Sequence, residues 1–145
     1  MKALIQRVAH ASVAVDGKAV GKIDQGLLVL LAVEKRDDAA SADKLLKKIL
    51  NYRVFADNEE KMNLSVLDVD GGVLIVSQFT LAADTNKGLR PSFSSAGGPE
   101  LAERLYDYTV AQARQVTPKV ATGIFAADMK VTLLNDGPVT FMLES

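Results

Sequence analysis

The sequence contains no cysteine and one histidine in 145 residues. Disulfides, thiolate nucleophiles and Cys-ligated metals are therefore excluded. With a single His and only scattered carboxylates no metal-ligand cluster can be assembled, so neither a metal nor another cofactor is expected. A Ser-His-Asp triad would have to use His10, which falls on the more polar face of the first predicted strand and reads as a surface or edge residue. Neither sign of charge is in excess: 17 Lys and Arg against 18 Asp and Glu leave a net charge of -1. The global electrostatic signature of a nucleic-acid binder is missing, and any such role must rest on a local patch. No apolar run approaches the roughly 20 residues of a membrane span. The opening Met1-Lys2-Ala3-Leu4-Ile5-Gln6-Arg7 meets a polar pair too early for a signal-peptide core. These absences lead us to expect a soluble, cytoplasmic protein without a membrane partner.

What is present is a hydrophobic fraction of 48%, enough for one core, and the length suits a single domain spanning residues 1–145. From Ala3 to Val15 the odd positions are apolar apart from Arg7, which predicts a long half-buried strand. Arg7 on that apolar face needs an acceptor, either as a structural or interface ion pair or in a site. Asp16-Gly17 is a tight turn returning Ala19–Ile23 as a hairpin partner. Leu27–Val33 and Val73–Val76 are uninterrupted apolar runs, expected as central strands buried on both faces. Between them, Asp37-Asp38 caps a helix ending near Asn51, with Ala42, Leu45, Leu46, Ile49 and Leu50 inward and Lys44, Lys47 and Lys48 outward. That lysine stripe is read first as a solvated face and second as a phosphate contact. Val66–Val69 reads as a further strand.

A long polar loop from Ala82 to Gly98 contains Lys87 and Arg90, the preferred phosphate contacts, since loops of this length in small domains are usually functional. Pro99-Glu100 opens a second helix with Leu101, Ala102, Leu105, Tyr106, Thr109, Val110 and Ala113 along one side. Three more strands are expected at Val120–Phe125, Met129–Leu134 and Val139–Leu143. The class is α+β, with mixed, barrel-like sheets and two helices.

Two stretches carry the chemistry. Ser77-Gln78-Phe79-Thr80 follows the central Val73 strand, and continued strand alternation would place Gln78 and Thr80 on one face. Asn135-Asp136-Gly137-Pro138-Val139-Thr140 contains a rigid Gly-Pro pair. On local sequence alone that pair is a hairpin turn linking the last two strands. No base accompanies the hydroxyls, so a site here would be built from main-chain amides, hydroxyls and one amide side chain. Such a site stabilises an oxyanion and suits a substrate that is already activated, such as an ester.

These motifs, together with Ala3-Leu4-Ile5-Gln6-Arg7-Val8, Lys61-Met62-Asn63-Leu64-Ser65 and Arg90-Pro91-Ser92-Phe93, resemble the D-aminoacyl-tRNA deacylases of the D-tyrosyl-tRNA deacylase type over nearly the full length. The turn before Lys61 and Leu89 before Arg90 depart from the family's pattern, away from the pocket motifs. The resemblance implies a homodimer of that fold, hydrolysing the ester between a D-amino acid and the 3′ end of tRNA, with the active site at the subunit interface. Ser77, Gln78, Phe79 and Thr80 would form the catalytic side of the pocket. Gly137 and Pro138, joined by a cis bond, would complete it from the partner, with Arg7 orienting their loop. Ala102, Phe125 and Met129 would surround the terminal adenosine. Rigid main chain against the substrate's Cα would reject L-aminoacyl groups whatever their side chain, and would accept glycine. Thr80 is either the nucleophile or a positioning group working beside the 2′-hydroxyl of the tRNA. Two other readings are a dimeric RNA or small-ligand binding module and a threonine-dependent esterase that acts without RNA.

Overall fold

The computed structural model describes all residues, Met1–Ser145. Its spine is β1 (Lys2–Val15), which is long enough to hold three partners. The first half pairs antiparallel with β3 (Gly26–Ala32), from Lys2 opposite Ala32 to Val8 opposite Gly26. The second half pairs with β2 (Lys18–Ile23) across a turn in which Asp16 and Gly17 take φ of 49° and 77°, as a two-residue hairpin requires. The other edge of β1 pairs with β8 (Lys130–Glu144).

Two parallel pairings extend the sheet: β3 with β6 (Gly72–Ser77), and β6 with β7 (Val120–Thr122). Parallel neighbours need a crossover. The first crossover contains α1 (Ala39–Asn51) and the second α2 (Pro99–Val116). Strand order is β2-β1-β3-β6-β7 with β8 on the free edge of β1. The sheet curls until Gly21 of β2 lies against the Thr122 carbonyl of β7, where any side chain would collide. The result is a nearly closed, barrel-like α+β fold.

Burial follows that shape. Leu28, Leu74 and Val76 point into the barrel beside Val8, Ala11 and Val13. Leu27, Val29, Leu31, Val73 and Ile75 point outward under the helices, in a larger cluster with Leu45, Ile49, Leu105 and Val110. Both central strands are thus buried on both faces, as their apolar runs predict. Asp38 caps α1: its carboxylate accepts the Ser41 amide at 2.9 Å, and these Ser41 contacts hold the Asp38 carboxyl below its ordinary value. Asp37 instead accepts the Met1 ammonium at 2.7 Å. No helix is long and apolar enough to cross a membrane.

Three expectations are corrected. Val66–Val69 is a turn, because the Asp68 carboxylate accepts the Ser65 amide at 2.8 Å while the Ser65 hydroxyl accepts the Asp68 amide at 3.2 Å. These local bonds displace a ladder. The strand pairing in that region is instead a short hairpin of β4 (Phe55–Ala56) and β5 (Met62–Leu64). The odd-position alternation of β1 slips between Gln6 and His10, where its pairing with β8 is irregular, so Val8 is buried and Ala9 exposed. Finally, the last two expected strands are one: β8 runs continuously through the Gly-Pro pair.

Candidate active site

At the carboxyl end of β6 the backbone leaves the sheet at Gln78, whose amide still donates to the Leu31 carbonyl at 2.8 Å, and tightens into a single 3-10 turn, Phe79–Ala82. The expected strand alternation across Ser77-Gln78-Phe79-Thr80 therefore does not hold. Gln78 and Thr80 still meet, because the turn brings the Gln78 side-chain amide to donate to the Thr80 hydroxyl at 2.6 Å. The first residues of such a turn have no main-chain acceptor for their amides. Those of Phe79 and Thr80 take part in no hydrogen bond, and the segment is exposed. Two free N–H groups beside a side-chain amide make an arrangement able to bind a developing oxyanion. The Thr80 hydroxyl is contacted by no base, so nothing activates it as a nucleophile.

Beside this turn lies a cleft of about 680 Å³, closed below by Leu31 and Val76 from the parallel strands. Ser77, Gln78 and Phe79 form one wall, and Ala102 and Tyr106 of α2 form another. Phe125 and Met129, from the connection between β7 and β8, form the third. Six residues picked out in the sequence thus share one cavity: Ser77, Gln78, Phe79, Ala102, Phe125 and Met129. Thr80, Arg7, Gly137 and Pro138 do not line it.

Tyr106, Phe93 and Asp128 also line the cleft and are not assigned to a site from sequence. Tyr106 sits at a helical core position, so periodicity assigned it to packing. Its hydroxyl donates to the Ile75 carbonyl at 2.7 Å, and burial, with Asp107 nearby, pushes its pKa up to about 12. It is a neutral wall, 6.0 Å between ring centres from Phe125, rather than an acid or base. Phe93 comes from the long loop and packs against Phe79 at 5.1 Å between ring centres, forming an apolar rim at the mouth.

The second element lies on β8. Gln6 pairs with Thr140 and Val8 with Asn135, so Asp136, Gly137, Pro138 and Val139 bulge out opposite Arg7 alone. This is an interruption within one strand and not the hairpin turn that local sequence suggests. The Gly137–Pro138 peptide is cis, and Gly137 has φ of 139°, a conformation unfavourable for L side chains. A Cβ on Gly137 would lie 2.9 Å from the Arg7 Nη2 and 2.7 Å from a Val139 methyl. Arg7 finds two carbonyl acceptors: its Nε donates to Asp136 at 2.9 Å and its Nη1 to Val54 at 2.7 Å. Its ion pair with the Asp136 carboxylate is looser, at 3.9 Å. The tip of the bulge is exposed.

The chain as a whole is matched by known proteins. The family model for D-Tyr-tRNA(Tyr) deacylase covers residues 4–144. The chain belongs to that family. A D-aminoacyl-tRNA deacylase of Stutzerimonas stutzeri is 66% identical over the whole of both chains. One of Cellvibrio japonicus is 65% identical over 99% of each. Among solved structures, a c-Myc DNA unwinding element binding protein superposes with a TM-score of 0.96 at 41% identity, covering 100% of this chain and 99% of its own. A probable eukaryotic D-amino acid tRNA deacylase superposes with a TM-score of 0.87 at 17% identity, over 99% and 98% of the two chains, a likeness of fold. The barrel described above is therefore shared with these structures.

Proposed function

We propose that the chain is an enzyme that removes D-amino acids from tRNA by hydrolysing the ester at the 3′ end, and that two copies build each site together. Family membership supplies the reaction. The observation that carries the arrangement is that the Gly-Pro bulge, hydrogen-bonded at both ends, is exposed at the surface yet does not line the cleft of its own chain.

In this reading the cleft of one protomer takes the terminal adenosine among Ala102, Phe125 and Met129. The aminoacyl carbonyl oxygen then lies against the free amides of Phe79 and Thr80, with Gln78 and Ser77 alongside. Water adds to the carbonyl carbon, and the amides stabilise the resulting oxyanion. The bond to the 3′ oxygen breaks, and the proton from water passes to that oxygen, relayed by the neighbouring 2′-hydroxyl. Thr80 positions and does not attack, because its oxygen already accepts from Gln78 and meets no base.

The partner's bulge supplies handedness. Main chain packed against the Cα leaves room for a side chain on one hand only, so L-aminoacyl groups are excluded regardless of their side chain and glycine is admitted. Arg7 fixes the bulge by tying Asp136 to Val54. Leu134 and Met142, which flank the bulge on β8, are exposed in the single chain, with relative accessibility of 48% each. A symmetric pairing would cover such apolar side chains. The whole chain acts as one domain in the cytoplasm, where its substrate resides.

The test is hydrolysis of matched D- and L-aminoacyl-tRNA by the purified protein. Rapid release of the D-amino acid with the L-ester left intact is expected. Equal rates for the two hands would overturn the chiral role, and binding of RNA without release would overturn the enzymatic one. An aminoacyl ester lacking adenosine should be a poor substrate, and efficient cleavage of it would mark a general esterase.

A further inference from the structure

The bulge is held on two sides, and Arg7 accounts for one of them. Arg7 pins the upstream end through the Asp136 carbonyl. At the downstream end the Val139 amide has no partner on β1 and is satisfied instead by the Asn135 side-chain carbonyl at 3.1 Å. The bulge is thus closed on itself, from the residue before it to the residue that ends it.

An asparagine amide can face either way, and only one way works here. Its NH2 end donates to the Thr140 hydroxyl oxygen at 3.0 Å, and that oxygen also accepts from the Gln6 side-chain amide at 3.3 Å. The Val139 amide can only donate, so it holds the Asn135 side chain with its carbonyl toward Val139, and the NH2 end is left facing the Thr140 oxygen. A flipped amide would set donor against donor at Val139, whereas the Thr140 hydroxyl can meet either end. We infer that Asn135 is a positioning residue for stereochemical discrimination, closing the Gly-Pro bulge, and that Thr140, itself bonded to Gln6, anchors the NH2 end of its amide.

This rests on the proposed role of Gly137 and Pro138 in handedness. Without the Asn135 carbonyl, the downstream limb keeps its sequence but loses the hydrogen bond that ties the Val139 amide back to the start of the bulge. The exposed bulge can then retreat from an L side chain. Because Asn135 is half-buried and Thr140 exposed, the consequence falls on selectivity more than on folding.

The experiment measures hydrolysis of matched D- and L-aminoacyl-tRNA by Asn135→Ala, Asn135→Asp, Thr140→Val and Gly137→Ala, with melting temperature and dimer content as controls. Asn135→Ala should lower the D-over-L rate ratio on the order of tenfold, the effect of one lost positioning hydrogen bond. Asn135→Asp should restore most of it, since a carboxylate accepts from Val139 and the Thr140 hydroxyl can turn to donate to it. Thr140→Val should fall between, and it serves as the test if Asn135→Ala does not fold. A full ratio in a folded Asn135→Ala or Thr140→Val protein, alongside a collapsed ratio in Gly137→Ala, overturns this inference and leaves the chiral role of the bulge standing. Failure of Asn135→Asp to recover the ratio overturns the acceptor role. A full ratio in Gly137→Ala overturns both.

Discussion

The cleft and the bulge are made of different materials. The cleft is walled by side chains rooted in the core, among them Ala102 and Tyr106 on a buried helix face and Val76 on a buried strand. The bulge is exposed main chain, held through Arg7 and Asn135 to carbonyl and amide groups. Side-chain walls sort ligands by size and polarity. A main-chain wall sorts them by geometry alone and is indifferent to which side chain the ligand carries. Affinity for the terminal nucleotide and discrimination of handedness should therefore be separable by mutation.

The largest separation is expected from Gly137→Ala. A Cβ there collides with Val139 and Arg7 in a conformation that alanine resists, so the bulge must move. Misplacement of about 1 Å costs on the order of 100-fold in a positioned reaction, and that loss should appear in the D-over-L rate ratio. Unchanged rates on both hands would break the comparison. Next, Ala102→Leu fills the cleft and should raise KM for D-aminoacyl-tRNA by roughly tenfold, through an overpacking cost of about 1–3 kcal/mol. The D-over-L ratio should stay where it was. If the ratio falls as far as in Gly137→Ala, the two regions are not independent.

Thr80→Ala tests the turn between them. With Thr80 in a positioning role, kcat should fall by roughly threefold to tenfold, the worth of one hydrogen bond. Complete loss in a protein that still binds tRNA, or a trapped acyl-enzyme, would make Thr80 the nucleophile. The smallest effect on catalysis is expected from Tyr106→Phe, which keeps the wall and removes the buried hydroxyl. Because the folded protein raises the Tyr106 pKa from 10.0 to about 12, the neutral phenol contributes stability that is complete below pH 10.0 and fades as pH rises toward 12. The Phe variant should lack that component of alkaline unfolding, followed by far-UV circular dichroism across the same window.

Much of the fold was legible because burial leaves a periodic trace. The central strands, the Asp38 cap and the inward faces of both helices all follow from the spacing of apolar residues and a capping carboxylate. What failed was local: Ser65 and Asp68 bond to each other's amides and make a turn where β-branched residues suggested a strand. Gly137-Pro138 carried the residue signature of a hairpin but sits inside one strand, because both flanks find the same partner, β1. No local pattern shows that two segments share a neighbour. Six site residues converge on the cleft because the turn after β6, α2 and the approach to β8 meet there. Tyr106 escaped assignment to the site because a core position on a helix and a cavity wall have the same periodicity.

The account depends on cleft and bulge meeting across two copies, and mixed dimers test this directly. One chain would carry Gln78→Ala with Ala102→Leu, leaving its bulge intact, and the other Gly137→Ala, leaving its cleft intact. Each homodimer should be impaired. The mixed dimer should regain one working site, with normal D-over-L selectivity, since the intact cleft of one chain receives the intact bulge of the other. Activity in the mixture no greater than the average of the two homodimers would contradict a shared site.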